Sequence, residues 1–80
     1  MKIKLLAFGY AADVIGKRKL EIDLPEGSTT ADIRKFISEE YPGLKNLLSY
    51  SVALNHAYIK EDQILKSMDE VAIIPPVSGG

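Results

Sequence analysis

The chain has 80 residues, of which 46% are hydrophobic, enough for one small core and too few for two. Its 10 basic and 11 acidic residues give a formal net charge of −1, which argues against a nucleic-acid-binding surface. Cysteine is absent, so disulfides and thiolate metal sites are excluded and a reducing cytoplasm is acceptable. No apolar run approaches the roughly 18 to 20 residues of a membrane helix, and we expect a cytoplasmic protein without a membrane segment.

The first third of the chain predicts two strands joined by a short helical segment. Residues 2–8 alternate between apolar and polar positions, residues 10–15 fit one or two helical turns closed by Gly16, and residues 19–24 alternate strictly. The residues predicted to face inward from these strands are Ile3, Leu5, Ala7, Leu20, Ile22 and Leu24.

The main helix is predicted to begin at Thr29, after a turn formed by residues 25–28. Thr29 can cap the helix and Asp32 can reach back to it, while Pro42 and Gly43 end the helix. Its predicted apolar stripe is formed by Ile33, Phe36, Ile37 and Tyr41.

The second half of the chain predicts three short strands. Residues 51–55 and 57–59 lie on either side of an Asn55–His56 turn, and residues 70–75 form the last strand. The loop between them is expected to turn Ile64 and Leu65 inward.

This order of elements favours an α+β fold of the ubiquitin-like β-grasp type. It requires a mixed sheet of four to five strands with one main helix on one face, because only that helix carries a broad apolar stripe. We expect residues 1–76 to form the domain and residues 77–80 a flexible tail. In a β-grasp sheet the first and last strands are parallel neighbours.

That pairing brings together apolar residues on the outward side of the sheet, where polar residues are expected. The loop at 60–68 could cover them, or they could be ordinary exposed apolar residues, but a partner-docking patch is the favoured interpretation. The predicted partner-binding residues are Leu6, Phe8, Tyr58, Ala72 and Ile74.

The last six residues extend from this patch as a narrow arm. The two prolines lack amide hydrogens and stiffen its root, and the four residues after them reach at most about 13 Å. Glycine has no Cβ, so a narrow channel could admit the end of the arm and a nucleophile could approach its last carbonyl. The residues predicted to enter a partner are Pro75, Pro76, Val77, Ser78 and Gly79, with Gly80 carrying the reactive carboxylate.

A free carboxylate must be activated before it can acylate anything, most simply as an acyl-adenylate. The chain has no phosphate-binding loop, so a separate enzyme must use the ATP. A lysine could then attack the activated carbonyl to give an isopeptide, or a sulfur donor could attack it to give a thiocarboxylate. Without cysteine the chain cannot carry sulfur as a persulfide.

The ending "DEVAIIPPVSGG", supported by "STTADI" at the helix start and "VALN" in the third strand, resembles the family of small, sulfur-carrying subunits of molybdopterin synthase. That family lies within the ubiquitin-like β-grasp group that includes the thiamine-pathway sulfur carrier. The resemblance covers essentially the whole chain. The chain departs from it at Met68, where glycine is common, and at His56, where glycine or a glutamine-type residue is common. The segment "AADV" also lacks an arginine–glutamate pair that is common in the family.

The resemblance implies a function in molybdenum cofactor biosynthesis. Gly80 would be adenylated by an enzyme resembling ubiquitin activators, converted to a thiocarboxylate, and used to deliver sulfur to cyclic pyranopterin monophosphate inside the large synthase subunit. The chain would be the sulfur-donating subunit of a heteromeric sulfurtransferase without being catalytic alone, and would bind no cofactor of its own.

Three alternatives remain open from the sequence. The chain could carry sulfur for thiamine or another pathway, it could be a protein modifier conjugated through Gly80, or it could be a β-grasp interaction domain with an inert terminus. No metal-ligand constellation is visible, and the Lys17–Lys19 cluster is interpreted as a solvated turn. The single histidine, His56, is interpreted as a surface residue of a turn.

Overall fold

The computed structural model describes residues 1–44 and 49–76, which form one five-stranded mixed sheet and two helices. The elements in chain order are β1 (Lys2–Ala7), α1 (Gly9–Ile15), β2 (Lys19–Asp23), α2 (Thr30–Glu40), β3 (Ser51–Leu54), β4 (Ala57–Tyr58) and β5 (Glu70–Ile74). The strand order across the sheet is β2-β1-β5-β3-β4.

The centre of the sheet is the parallel pair formed by β1 and β5, as predicted. The other neighbours are antiparallel: β1 with β2, β5 with β3, and β3 with β4. Because the first and last strands of the chain lie side by side, their outward residues are adjacent.

The core lies between the sheet and α2. Ile3, Leu5, Val71 and Ile73 on the central strands are fully buried, and α2 contributes the equally buried Ile33 and Ile37. Burying a side chain of this size stabilises the folded state by about 1.5 to 3 kcal/mol relative to leaving it exposed. The alternation predicted for these strands is therefore confirmed, since the inward residues are the buried ones.

The predicted start of the main helix, the predicted end of the short first helix and the predicted hairpin turn are confirmed. The Thr29 amide donates to the Asp32 carboxylate at 2.8 Å at the start of α2. Gly16 follows the last residue of α1 as its C-cap, with a φ of +84°. Asn55 and His56 have φ values of +50° and +74°, the combination found in the two-residue turns that match the twist of a β-hairpin.

One predicted core residue is not in the core. Leu65 is buried at 3% exposure, as expected, but its neighbour Ile64 is 72% exposed. The backbone amide of Leu65 donates to the Ser28 carbonyl, and Ile64 forms an isolated bridge with Thr29, so the segment is locally extended. Successive side chains of an extended segment point in opposite directions, and only one of the two can face the core.

Candidate functional site: an exposed apolar face at the root of the tail

The outward side of the sheet carries a continuous apolar row across four strands. In register, Leu6 of β1 pairs with Ala72 of β5, Ala72 with Ala53 of β3, and Ala53 with Tyr58 of β4. Register partners point to the same side of a sheet, so these four side chains form one strip.

Two further apolar residues widen this strip at one end. Phe8 follows the last residue of β1, and Ile74 is the last residue of β5. Both line the same surface depression as Leu6, Ala72, Ala53 and Tyr58. We call this set the apolar face: Leu6, Phe8, Ala53, Tyr58, Ala72 and Ile74.

The two aromatic side chains of the apolar face are exposed to solvent, whereas Leu6, Ala72 and Ile74 are partly buried and the small Ala53 is buried. Phe8 is 48% exposed and Tyr58 is 71% exposed, and both line the same depression as the other apolar residues of the face. Sequence analysis placed five of these six residues on the outward side of the sheet, as the structure does, and it missed Ala53. Clustered exposed aromatics are typical of surfaces that a partner covers.

The loop at residues 60–68 does not cover this face. It is anchored to the start of α2 instead, because the Thr30 amide donates to the Gln63 carbonyl at 2.9 Å and the Leu65 amide donates to the Ser28 carbonyl at 2.8 Å. Leu65 enters the core that α2 shares with the sheet. The covered-face alternative raised by the sequence is therefore wrong.

The same loop holds the one clear perturbation of a carboxyl group among the described residues. Asp62 accepts hydrogen bonds from the Thr30 hydroxyl at 2.6 Å and from the Ala31 amide at 2.7 Å. These bonds, the one from Thr30 first, lower the pKa of Asp62 below its ordinary value of 3.8. Because Asp62 lies at the amino end of α2, its negative charge also interacts favourably with the helix dipole.

A polar pair borders the apolar face at the β3–β4 turn. The His56 Nε2 lies 3.3 Å from the Glu70 Oε1, and both side chains line the depression together with the apolar residues. Asn55 fixes this corner, since its side-chain carbonyl accepts from the Glu70 amide at 2.9 Å. Sequence reasoning missed Glu70, although its position two residues before Ala72 places it on the outward side. His56 reaches the face only through the hairpin register, which the sequence does not reveal.

The root of the tail lies at the edge of the apolar face. Pro75 directly follows Ile74 and is half-buried, with its ring next to Gly9: a Cβ built on Gly9 would lie 3.7 Å from the Pro75 Cγ. Pro76 is exposed. The remaining predicted tail residues, Val77, Ser78, Gly79 and Gly80, lie outside the described residues.

Residues 1–44 and 49–76 contain neither a metal-binding cluster nor a membrane-spanning helix. No group of three or more His, Cys, Asp or Glu side chains there is arranged to hold a metal ion. Within the same residues, no helix is long and apolar enough to cross a membrane.

Comparison with known proteins identifies the family. The profile of the ThiS family matches residues 5–80. The chain belongs to the ThiS family. Among its ThiS-family relatives, the molybdopterin synthase sulfur carrier subunit of Dictyostelium discoideum is 43% identical, and the alignment covers 99% of this chain and 96% of that protein.

Solved structures of similar proteins confirm the β-grasp fold. A Pyrococcus furiosus protein assigned as molybdopterin converting factor subunit 1 is 28% identical to this ThiS-family chain, with a TM-score of 0.86 over 96% of this chain and 99% of that one. A chain in the complex of subunits 1 and 2 of the molybdopterin-converting factor from Helicobacter pylori is 25% identical, with a TM-score of 0.71 and full coverage of both chains.

Proposed function

We propose that this chain is the sulfur carrier subunit of a molybdopterin synthase and that it carries sulfur as a thiocarboxylate on Gly80. The observation that supports this most directly is its similarity to the sulfur carrier subunit of Dictyostelium discoideum, at 43% identity over 99% of the chain. The family match also extends through residue 80, so it includes the Gly79–Gly80 pair on which the chemistry depends.

The proposed chemistry begins with activation by a separate adenylating enzyme. The Gly80 carboxylate attacks the α-phosphate of ATP, pyrophosphate leaves, and an acyl-adenylate forms. Hydrosulfide then attacks the acyl carbon, AMP leaves, and loss of a proton gives the terminal thiocarboxylate. The absence of a Cβ on Gly79 and Gly80 leaves room for both the nucleotide and the nucleophile beside the reacting carbon.

The apolar face supplies the proposed docking surface for the large synthase subunit. Covering Phe8 and Tyr58 would remove exposed aromatic surface from water, which favours formation of a complex. The tail starts where this face ends, because Pro75 follows Ile74. A partner seated on the face is therefore within reach of a four-residue arm of at most about 13 Å.

Preorganisation of the arm's root favours its insertion. Pro75 is held beside Gly9 and half-buried, and neither proline can rotate freely about φ. Residues that are already ordered lose less conformational entropy on binding. The large subunit would then supply the pocket in which sulfur is transferred to cyclic pyranopterin monophosphate.

The first experiment measures the mass of the intact chain. After incubation with a candidate activating enzyme, ATP and a sulfur donor, the mass should rise by the difference between sulfur and oxygen, and it should stay unchanged when ATP is omitted. An unchanged mass in the complete mixture would contradict the carrier mechanism.

The second experiment tests the pathway. The thiocarboxylated chain is mixed with the large synthase subunit and cyclic pyranopterin monophosphate, and dithiolene formation is measured. Formation of dithiolene supports the proposal. A thiocarboxylate that forms but yields no dithiolene would assign the chain to another sulfur pathway, and conjugates to lysine in cell extract would assign it to protein modification.

A further inference from the structure

The apolar row of the sheet does not end at Leu6. Lys19 of β2 is the register partner of Leu6, so its side chain stands on the outward side of the sheet at the end of the row. A partner that covers the row from Tyr58 to Leu6 therefore meets Lys19 next.

A second depression lies at this end of the sheet. Its walls include Leu6 and Phe8 of the apolar face, Ala12 of α1, and Arg18 and Lys19 at the start of β2. We call it the basic groove. Because Leu6 and Phe8 line both depressions, the apolar face and the basic groove are continuous.

The backbone at both cations of the basic groove is held in place by hydrogen bonds to β1. The Ala7 amide donates to the Arg18 carbonyl at 2.9 Å, and Lys19 belongs to the ladder between β1 and β2. Both side chains are exposed. Within residues 1–44 and 49–76, the ion pairs found are Lys2–Asp23 and His56–Glu70, neither of which includes Arg18 or Lys19.

We propose that the basic groove binds an acidic segment of the large synthase subunit, in the same complex in which that subunit covers the apolar face. This inference rests on the proposed function. Two cations held on a sheet edge, without a carboxylate partner in the described chain, match aspartate or glutamate side chains. The apolar side chains of Leu6 and Phe8 would shield those ion pairs from water on one side. This shielding strengthens the ion pairs relative to pairs on an open surface.

The test compares two double variants with the same change in net charge. R18Q/K19Q removes both cations of the groove. K17Q/K35Q is the matched control. It removes Lys17, which is next to the groove but does not line it, and Lys35, an exposed cation on α2. All four side chains are exposed, and the backbone bonds of Arg18 and Lys19 do not use their side chains, so both proteins should fold; thermal unfolding verifies this.

Binding of each full-length chain to the large subunit, and separately to the activating enzyme, is measured by titration calorimetry at low and high salt. We expect R18Q/K19Q to raise the Kd about fivefold at low salt and to flatten its salt dependence, because two partly shielded ion pairs are lost. K17Q/K35Q should stay within about twofold of the unchanged chain, because neither Lys17 nor Lys35 lines the groove and both charges are exposed and screened by salt.

Equal affinities for R18Q/K19Q and the unchanged chain, or equal weakening by both double variants, would overturn the basic groove while leaving the proposed function intact. Weakened binding to the activating enzyme alone would assign the groove to that enzyme and would also overturn the proposal. Failure of the unchanged chain to bind the large subunit would instead overturn the proposed function.

Discussion

Met68 has a backbone conformation that suits glycine better than methionine. Its φ is +71°, and its side chain is 53% exposed in the turn before β5. The left-handed region costs an L-residue about 1 to 2 kcal/mol, whereas glycine enters it freely but loses about 0.5 to 1 kcal/mol more chain entropy on folding. We expect Met68→Gly to raise the free energy of unfolding by about 0.5 kcal/mol, measured by urea denaturation.

The neighbouring residue provides the control for this prediction. Ser67 is exposed and is not among the residues with positive φ. Ser67→Gly should therefore lower the free energy of unfolding by up to about 1 kcal/mol, because it adds only chain entropy. Equal destabilisation by both substitutions would show that the backbone of Met68 is not strained.

Phe8 lies at the end of the apolar face where the tail begins. Among the residues at that end, truncation of Phe8 should weaken binding of the large subunit most. It is 48% exposed in the free chain, so truncation costs little core packing but removes an aromatic anchor from the interface. We expect Phe8→Ala to raise the Kd for the large subunit about 30-fold, corresponding to about 2 kcal/mol, as measured by titration calorimetry. The free energy of unfolding should fall by about 1 kcal/mol or less.

Ile64 is a matched control for Phe8, since it is also a large exposed apolar side chain, at 72% exposure. It belongs to the loop anchored on α2 and does not line the apolar face. Ile64→Ala should leave the Kd unchanged. Similar losses of affinity from the two variants would mean that docking depends on general hydrophobicity and not on this face.

At the scale of elements, the loop from residue 60 to residue 68 is held by a carboxylate that caps α2. Asp62 accepts from the Thr30 hydroxyl and the Ala31 amide, and these bonds lower its pKa below 3.8. Because the pKa of Asp62 is lower in the folded state than in the unfolded state, the ionised carboxylate stabilises the fold at pH values above the unfolded-state pKa. This stabilisation is lost as the pH falls through the folded-state pKa. We expect Asp62→Asn to lower the Tm at neutral pH.

The pH dependence distinguishes this role from a general effect of charge. The Tm difference between the unchanged chain and Asp62→Asn should shrink as the pH falls below 3.8, because Asp62 itself becomes neutral there. Glu61→Gln, at the adjacent exposed carboxylate, should change the Tm much less at neutral pH. A difference that stays constant across this pH range would contradict the proposed capping.

The elements that the sequence predicted well are those with a repeating pattern. The alternation in β1 and β2 and the capping pair Thr29 and Asp32 are local signals, and the structure confirms all of them. The loop after β4 has no such period. Ile64 and Leu65 are both large and apolar, and the long-range backbone contacts of this segment with Ser28 and Thr29 place Leu65 in the core and Ile64 outside it.

At the scale of the whole molecule, the candidate site is a product of topology. Phe8 and Ile74 are 66 residues apart in sequence numbering, and they share one face because β1 and β5 are parallel neighbours. The sequence could predict this adjacency only after the β-grasp order of strands had been inferred. It could not predict His56 beside Glu70 or the groove beside Arg18, because these depend on the register of individual residue pairs and on the path of the connecting turns.

The tail begins at the edge of the apolar face, where Pro75 follows Ile74. If the face sets where the chain sits and the arm sets how far Gly80 reaches, then the reacting carbon must lie at a fixed distance from the face. Adding one alanine after Gly80 would move the terminal carboxylate by about 3.5 Å and place a Cβ beside it. Misplacement of a reacting atom by only about 1 Å can lower a rate about a hundredfold.

We therefore expect the extended chain to lose sulfur transfer, measured as dithiolene formed in the reconstituted synthase, while its Tm and its Kd for the large subunit change little. The separation of these readouts is the decisive point, since the added residue lies beyond both the core and the apolar face. An alanine inserted between Asn55 and His56, where the turn conformation fixes the hairpin, should instead lower the Tm and weaken docking. Sulfur transfer that survives the extension after Gly80 would show that the reactive group is not the terminal carboxylate of Gly80.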